Sequence, residues 1–377
     1  MILSRRLRES PFEKRVIREG VRGFTLYNKM TLPLLFDTLE SDYAHLCEHV
    51  QIWDVACERQ VEIVGPDALR LVELITPRDI SKCVVGQCMY APLCEENGGI
   101  INDPIILRIA EDRFWLSIAD SDVNLWVKGI AYGRGFDVRV FEPDVSPLGI
   151  QGPKADDLMA EVVGEHVRDI RFFRFIDETI AGTPVKLARS GWSGQGGFEI
   201  YLQDSSKGPD LWDLFWDAGQ KYNIRSGGPN LIDRIETGLK SYGSDMTIDT
   251  NPLEAALDQF ISLNKQAECM SMDAIRKVAE TGPERRLVHL VLEGDALHTP
   301  RSIWKVLDAN GADVGMVTSG AYSPRLKSNL AFATVKTAHS AVGTRLSVDT
   351  DGNLDTVGDV RSAVVHDAKW QIANTAA

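Results

Sequence analysis

Val61-Glu-Ile-Val64 runs straight into Gly65-Pro66-Asp67-Ala68, a short alternating strand, a turn and a helix start. Proline suits the first helical position, because the N–H it lacks has no partner there. The same device recurs at Gly149-Ile-Gln-Gly152-Pro153-Lys154-Ala155. Two copies of strand, Gly-Pro and helix point to two similarly built α+β lobes. The first of these helices is expected to run through Leu74. Between the copies, Glu95-Glu96-Asn97-Gly98-Gly99 is a hairpin turn signal, followed by apolar runs from Ile100 and from Phe114.

Outward from this frame, residues 40–50 read as a helix, with Leu39, Tyr43, Leu46 and Val50 on one face. Residues 228–243 read as another: Pro229 near its start, Ile232, Ile235, Leu239 and Tyr242 at helical spacing, Gly243 at its end. The polar segment 264–283 is a helix-prone connector. After about residue 282 the chain becomes strand-rich. Turns at Ala309-Asn310-Gly311 and Asp351-Gly352-Asn353 predict a separate antiparallel β-barrel.

A chain of 377 residues is too long for one core and suggests two or three domains. Its 41 Lys and Arg against 54 Asp and Glu give a net charge of −13, which disfavours a nucleic-acid partner but not a small anionic ligand in a local basic pocket. No run of apolar residues is long enough to span a membrane. Met1-Ile-Leu-Ser-Arg-Arg carries charge where a secretory leader needs its apolar segment, so a cytoplasmic protein is expected. The six cysteines match no common zinc spacing, and reduced thiols are expected. His45 and His49 share a helix face but lack a third ligand, so a solvated or capping role is expected and no metal.

Chemistry concentrates in two places. Asp103 lies inside the apolar run Ile100–Ile106, where its carboxylate should be largely removed from water and must find a partner. The other place is Arg189-Ser-Gly-Trp192-Ser-Gly-Gln-Gly-Gly-Phe198-Glu199-Ile-Tyr201. Alternation sends Phe198, Ile200 and Leu202 to one face of a strand and Glu199 and Tyr201 to the other. That pair beside a glycine-rich loop carrying Trp192 suits a flat hydrogen-bonding heterocycle or a cation; an amphipathic edge strand is the alternative. Gly194-x-Gly196 precedes a strand and is no dinucleotide fingerprint, and Gln195 spoils a Gly-x-Ser-x-Gly elbow. Arg234 and Glu236, two apart on the 228–243 helix, cannot share a face, so one reaches a site while the other pairs on the surface. Arg325 and Lys327 form a local basic patch, read as a solvated loop.

Taken in order, Trp53-Asp-Val, Gly65-Pro-Asp-Ala, Asn97-Gly-Gly-Ile-Ile-Asn-Asp103, Gln151-Gly-Pro-Lys-Ala and Arg189 to Glu199 resemble the folate-dependent aminomethyltransferases, the T-protein of glycine cleavage and its relatives. Arg234-Ile-Glu236, Tyr242-Gly-Ser-Asp-Met246, Asn251-Pro-Leu-Glu254 and Thr318-Ser-Gly-Ala-Tyr-Ser-Pro324 continue the likeness over nearly the whole chain. Within the family, His49 to Gln60, Arg78-Asp-Ile-Ser-Lys82, Ser117 to Asp122 and Arg171-Phe-Phe-Arg-Phe175 are similar to the branch that demethylates a sulfonium compound. Ala56-Cys57-Glu58 stands where true T-proteins usually carry Ser-His-Met, and Gly228-Pro229-Asn230-Leu231 where they carry Gly-Ala-Arg-Asp. Met89 and Gly228 depart from the demethylase pattern, which has Tyr and Cys there.

The resemblance implies an α+β fold of three domains in a ring-like arrangement: 1–50 plus 145–260, 51–144, and a C-terminal antiparallel β-barrel over 280–377. It implies tetrahydrofolate as co-substrate in a central channel and a small-molecule methyl donor, and it leaves a homodimer open. Asp103 matches the essential aspartate near folate N10, Glu199 the carboxylate that hydrogen-bonds the pterin, and Tyr90, Trp192 and Tyr201 the pocket aromatics, with Arg234 also on the folate side. The implied reaction is methyl transfer from a sulfonium to folate N5. Aminomethyl transfer, or demethylation of another onium or methoxy compound, is the alternative.

Overall fold

The computed structural model describes residues 6–300, 302–351 and 358–367. The leader reading at residues 1–5 and the predicted turn at Gly352-Asn353 therefore fall outside the described residues. The chain divides into two units: one comprises the residues up to Leu93, Asn102–Asn230 and Gln266–Glu268, the other Cys94–Ile101, Leu231–Lys265 and the chain from Cys269 onward.

In the first unit both Gly-Pro devices do what the sequence predicts. Strand Gln60–Val64 leads into helix Ala68–Ile75, and strand Ser146–Gln151 into helix Ala155–Val162. Gln60–Val64 belongs to an antiparallel five-stranded sheet in the order Arg139–Phe141, Gln60–Val64, Arg113–Ser117, Ile105–Ala110, Cys88–Tyr90. Ser146–Gln151 belongs to a six-stranded sheet in the order Phe175–Ile180, Thr183–Ala188, Gly197–Leu202, Ser146–Gln151, Gln51–Asp54, Arg225–Gly227, in which only the last pairing is parallel. One face of the six-stranded sheet packs Ile52, Leu148, Ile150, Leu187, Phe198 and Ile200 under helices that include Leu39–Glu48, Ala155–Val162 and Gly208–Gly219. Its other face meets the five-stranded sheet through a smaller cluster of Cys88, Leu107, Trp115, Val145, Phe175, Ala188 and Tyr201.

In the second unit, Arg285–Leu292, Ser328–Lys336, Asp313–Ser323, Trp304–Leu307, Arg345–Asp349 and Val360–His366 form a closed barrel. Closure leaves no open edge to aggregate. The α+β class and the C-terminal barrel expected from the sequence are both present. The helix expected over 228–243 is shorter, Leu231–Thr237, because Gly238 takes φ 78° and ends it. Glu236 accordingly pairs not on the surface but inside, 1% exposed, accepting from Ser323 and Arg325. Arg325 is an exposed turn residue, as read, but its guanidinium pairs with Glu236.

His45 differs from expectation too. It is 5% exposed, and its Nε2 donates to the Asn223 carbonyl at 2.8 Å. Burial lowers its pKa to about 4, so the ring is neutral. No helix among the described residues is long and apolar enough to cross a membrane, and the six cysteines are free thiols.

Candidate functional site

Gly197–Leu202 lies inside the six-stranded sheet, flanked by Thr183–Ala188 and Ser146–Gln151, so it is no edge strand. Its alternation holds as predicted. Phe198, Ile200 and Leu202 enter the helix-covered core, while Tyr201 enters the cluster between the two sheets. Glu199, on the same side as Tyr201, is 7% exposed. Tyr201 Oη donates to Glu199 Oε2 at 3.1 Å, and Ser190 Oγ donates to the same oxygen. Among the described residues no donor reaches Oε1, which leaves that oxygen for a ligand. Burial raises the Glu199 pKa, and the two hydroxyl donors pull it part of the way back.

Ser190 opens the glycine-rich loop that carries half-buried Trp192. The loop is pinned by Gln151, which is 1% exposed. Ser193 Oγ donates to Gln151 Oε1 at 2.7 Å, and Gln151 Nε2 donates to the Phe198 carbonyl at 3.1 Å. A side chain at Gly191 has no room: its Cβ would stand 2.1 Å from Gln151 Oε1. Trp192 and Glu199 are thus the two ends of one anchored segment.

Asp103 precedes strand Ile105–Ala110 and is half-buried, less withdrawn from water than its apolar surroundings predicted. Pro104 follows it and cannot extend ladder pairing through that point, which leaves the carboxylate at a gap. Tyr90 Oη donates to Asp103 Oδ2 at 3.0 Å. The Tyr90 carbonyl in turn accepts from Arg78 Nη1.

One residue that sequence reasoning passed over ties the two acids together. Glu58 sits in the turn between strands Gln51–Asp54 and Gln60–Val64, its N–H bonded to the Val55 carbonyl at 2.9 Å. Its carboxyl is held well above the usual range, first by burial, then by the negative charges of Glu199 and Asp103. Glu58 and Asp103 also act on Tyr27, whose phenol is pushed up mainly by burial. Asp103 and Glu199 are therefore both within electrostatic reach of Glu58. The available signal was the acid in Ala56-Cys57-Glu58, noted as a departure from the T-protein pattern but given no role.

Arg234 lies in the second unit. It is 7% exposed, and its guanidinium donates to Asp245 Oδ2 at 2.8 Å, to the Leu239 carbonyl at 3.3 Å and to Ser319 Oγ. Among the described residues no group of three or more His, Cys, Asp and Glu side chains is arranged to hold a metal.

The two departures from the demethylase pattern have local explanations. Cys88 points into the inter-sheet cluster, so by strand alternation Tyr90 shares its face and Met89 points the other way. At Gly228 a Cβ would stand 2.0 Å from the Pro33 carbonyl, so close backbone approach requires glycine.

Residues 13–265 match the sequence profile of the GCVT N-terminal domain, and residues 285–364 that of the glycine cleavage T-protein C-terminal barrel domain. The chain is 47% identical to dimethylsulfoniopropionate demethylase DmdA of Ruegeria pomeroyi over 368 residues, 98% of each chain. It is 31% identical to an aminomethyltransferase of Halalkalibacterium halodurans over 323 residues, 84% of this chain and 87% of that one. The crystal structure of glycine cleavage system aminomethyltransferase T from Bartonella henselae superposes with a TM-score of 0.85 at 24% identity, covering 97% of this chain and 98% of that one. The chain therefore belongs to the glycine cleavage T-protein family.

Proposed function

We propose that this protein is a tetrahydrofolate-dependent demethylase that moves a methyl group from dimethylsulfoniopropionate to folate N5, leaving methylmercaptopropionate. The observation that carries the reading is the buried Glu199 carboxylate, which takes both hydroxyl donors on one oxygen beside the loop that carries Trp192. Added to it is the 47% identity with the Ruegeria demethylase over nearly the full length.

The donor set fits a reduced pterin. Glu199 presents an acceptor oxygen beside Trp192, and a pterin edge offers N–H donors to a carboxylate and a flat face to an aromatic ring. Tetrahydrofolate supplies the nucleophilic nitrogen. In this reading Glu199 and Tyr201 fix the pterin edge, and Tyr90 and Trp192 complete the wall. A sulfonium has no N–H to donate, so it is held through its charge, by the face of Trp192 and by the negative field of Asp103 and Glu199.

Its leaving group is a neutral thioether, which needs no protonation, so the protein's task is alignment, worth about 7–11 kcal/mol when geometry is good. Asp103, steadied by Tyr90, orients the partners and stabilises positive charge as the new C–N bond forms. Arg234, already engaged by Asp245 and Ser319, is assigned to holding the barrel unit rather than to the pterin. The protein is assigned to the cytoplasm, with small molecules as its partners.

The test is to incubate the protein anaerobically with tetrahydrofolate and a panel of sulfonium, ammonium and methoxy compounds. Formation of 5-methyltetrahydrofolate from dimethylsulfoniopropionate is expected. A methylene product, or methylation from another donor alone, overturns the assignment. Asp103→Asn should lower turnover by about tenfold or more while folate affinity changes little.

A further inference from the structure

A buried amide, Asn102, and a half-buried one, Asn28, meet at one backbone carbonyl beside the acids of the proposed site. Asn102, immediately before Asp103, is fully buried. Its Nδ2 donates to the Ala119 carbonyl at 3.0 Å and to Ser121 Oγ at 2.8 Å, and its Oδ1 accepts from the Ala119 N–H at 2.9 Å. The carboxamide thereby imitates a strand neighbour, closing a two-way pairing with residue 119 where Pro104 rules out a backbone ladder.

Asn28 comes to the same carbonyl from another element. It sits at the tip of the hairpin Gly23–Tyr27/Met30–Leu35, with φ 50°, a conformation asparagine accepts more readily than most residues. Its Nδ2 donates to the Cys57 carbonyl at 3.0 Å and to the Ala119 carbonyl at 3.2 Å, and its backbone N–H donates to Asp120 Oδ1 at 2.7 Å. The segment Ile118–Ser121 is thus a hub with two spokes. One runs through Asn28 to Cys57, next to Glu58, and the other through Asn102, next to Asp103.

We propose that Asn102 and Asn28 are positioning residues for methyl transfer: by sharing the Ala119 carbonyl they set the separation between Asp103 and the Glu58 turn. Asn102 does the greater part, since both ends of its carboxamide are engaged and its backbone adjoins the acid. Neither amide faces the reacting atoms. Each acts through the carboxylate next to the backbone it holds, so losing one misplaces an acid without emptying the pterin-binding wall of Glu199, Tyr201 and Trp192. The inference rests on the site proposed above, and its test separates the two.

The experiment is a double-mutant cycle in the full-length protein, reading kcat for methyl transfer from dimethylsulfoniopropionate and the tetrahydrofolate dissociation constant. Asn102→Ala should lower kcat by about tenfold or more with folate affinity changed by less than about threefold, and Asn28→Ala should act in the same sense but less. In an Asp103→Asn background, Asn102→Ala should cost nothing further in kcat, because the acid it positions is already gone. A merely structural role predicts the opposite, a loss that adds to that of Asp103→Asn or falls equally on folate binding, and either result overturns the inference. Full activity in Asp103→Asn alone overturns the site reading itself. Should Asn102→Ala not fold, Asn28→Ala carries the cycle, since it lies on a partly exposed hairpin tip, and an unchanged kcat there overturns the proposal.

Discussion

Removing one hydroxyl, by Ser190→Ala, isolates the electrostatics of the pterin-binding acid. Glu199 is 7% exposed between two sheets and receives two donors, Ser190 Oγ and Tyr201 Oη, both on Oε2. Burial raises its pKa, and the two donors oppose that shift. A hydrogen bond to a charged group contributes about 1.5–3 kcal/mol, and each 1.4 kcal/mol is tenfold in an equilibrium constant. Losing the serine should therefore weaken tetrahydrofolate binding by about 10- to 100-fold near neutral pH.

The sign with pH follows from the direction of the shift. The ionised form binds the pterin N–H groups, so affinity falls as pH drops through the raised Glu199 pKa. The serine variant, with a higher pKa still, begins to lose affinity at higher pH than the parent. Tryptophan fluorescence quenching under anaerobic conditions, titrated from pH 5.5 to 8.5, reads both effects. Tyr201→Phe removes the companion donor and should shift the curve the same way. A folded Ser190→Ala protein whose dissociation constant stays within about twofold of the parent across that range would refute the assignment of Glu199 to the pterin.

Three further predictions rest on other parts of the molecule. Asp54 is buried, bonded to the Ala56 N–H at 3.1 Å, and burial pushes its pKa up from 3.8 to about 7. The folded state therefore holds a proton that the unfolded state releases, and this contribution is fully present below about pH 4 and lost as pH rises through about 7, by roughly 4 kcal/mol at most. Urea melts from pH 4.5 to 8 should show the decline, and Asp54→Asn should flatten it. Gly191→Ala drives a methyl against Gln151 Oε1 and unpins the loop carrying Trp192, so KM for the sulfonium should rise by about tenfold while the melting temperature moves little. Asp245→Asn leaves the buried Arg234 guanidinium uncompensated, at a cost of about 3–5 kcal/mol in the stability of the barrel unit. Folate affinity of the folded Asp245→Asn protein should be preserved, and a parallel loss would return Arg234 to the folate-binding set.

Local pattern made much of this legible. Gly-Pro after an alternating strand marks a helix start wherever it occurs, and both copies behaved so. The period of two in Phe198–Leu202 sorted core from site without knowledge of either sheet. Glu58 was not legible in the same way, because its importance comes from Asp103 and Glu199, far away in sequence and brought near only by the pairing of the sheets. The 228–243 helix was overextended for a local reason: Leu239 and Tyr242 kept the helical spacing, but Gly238 adopts a left-handed conformation that ends the run. Asp103 was read from the apolarity of its neighbours, whereas its exposure follows from the break that Pro104 makes in the strand.

The division of the chain bears on how the protein is made. Cys94–Ile101 belongs to the barrel-containing unit, yet it emerges from the ribosome before Asn102–Asn230, which belongs to the other. That octapeptide must wait, without its companions, through the synthesis of most of the first unit. Neither unit is one uninterrupted stretch of chain, so a single cut cannot release either whole, and a truncated chain should be bound by chaperones or degraded rather than persist as an autonomous fragment.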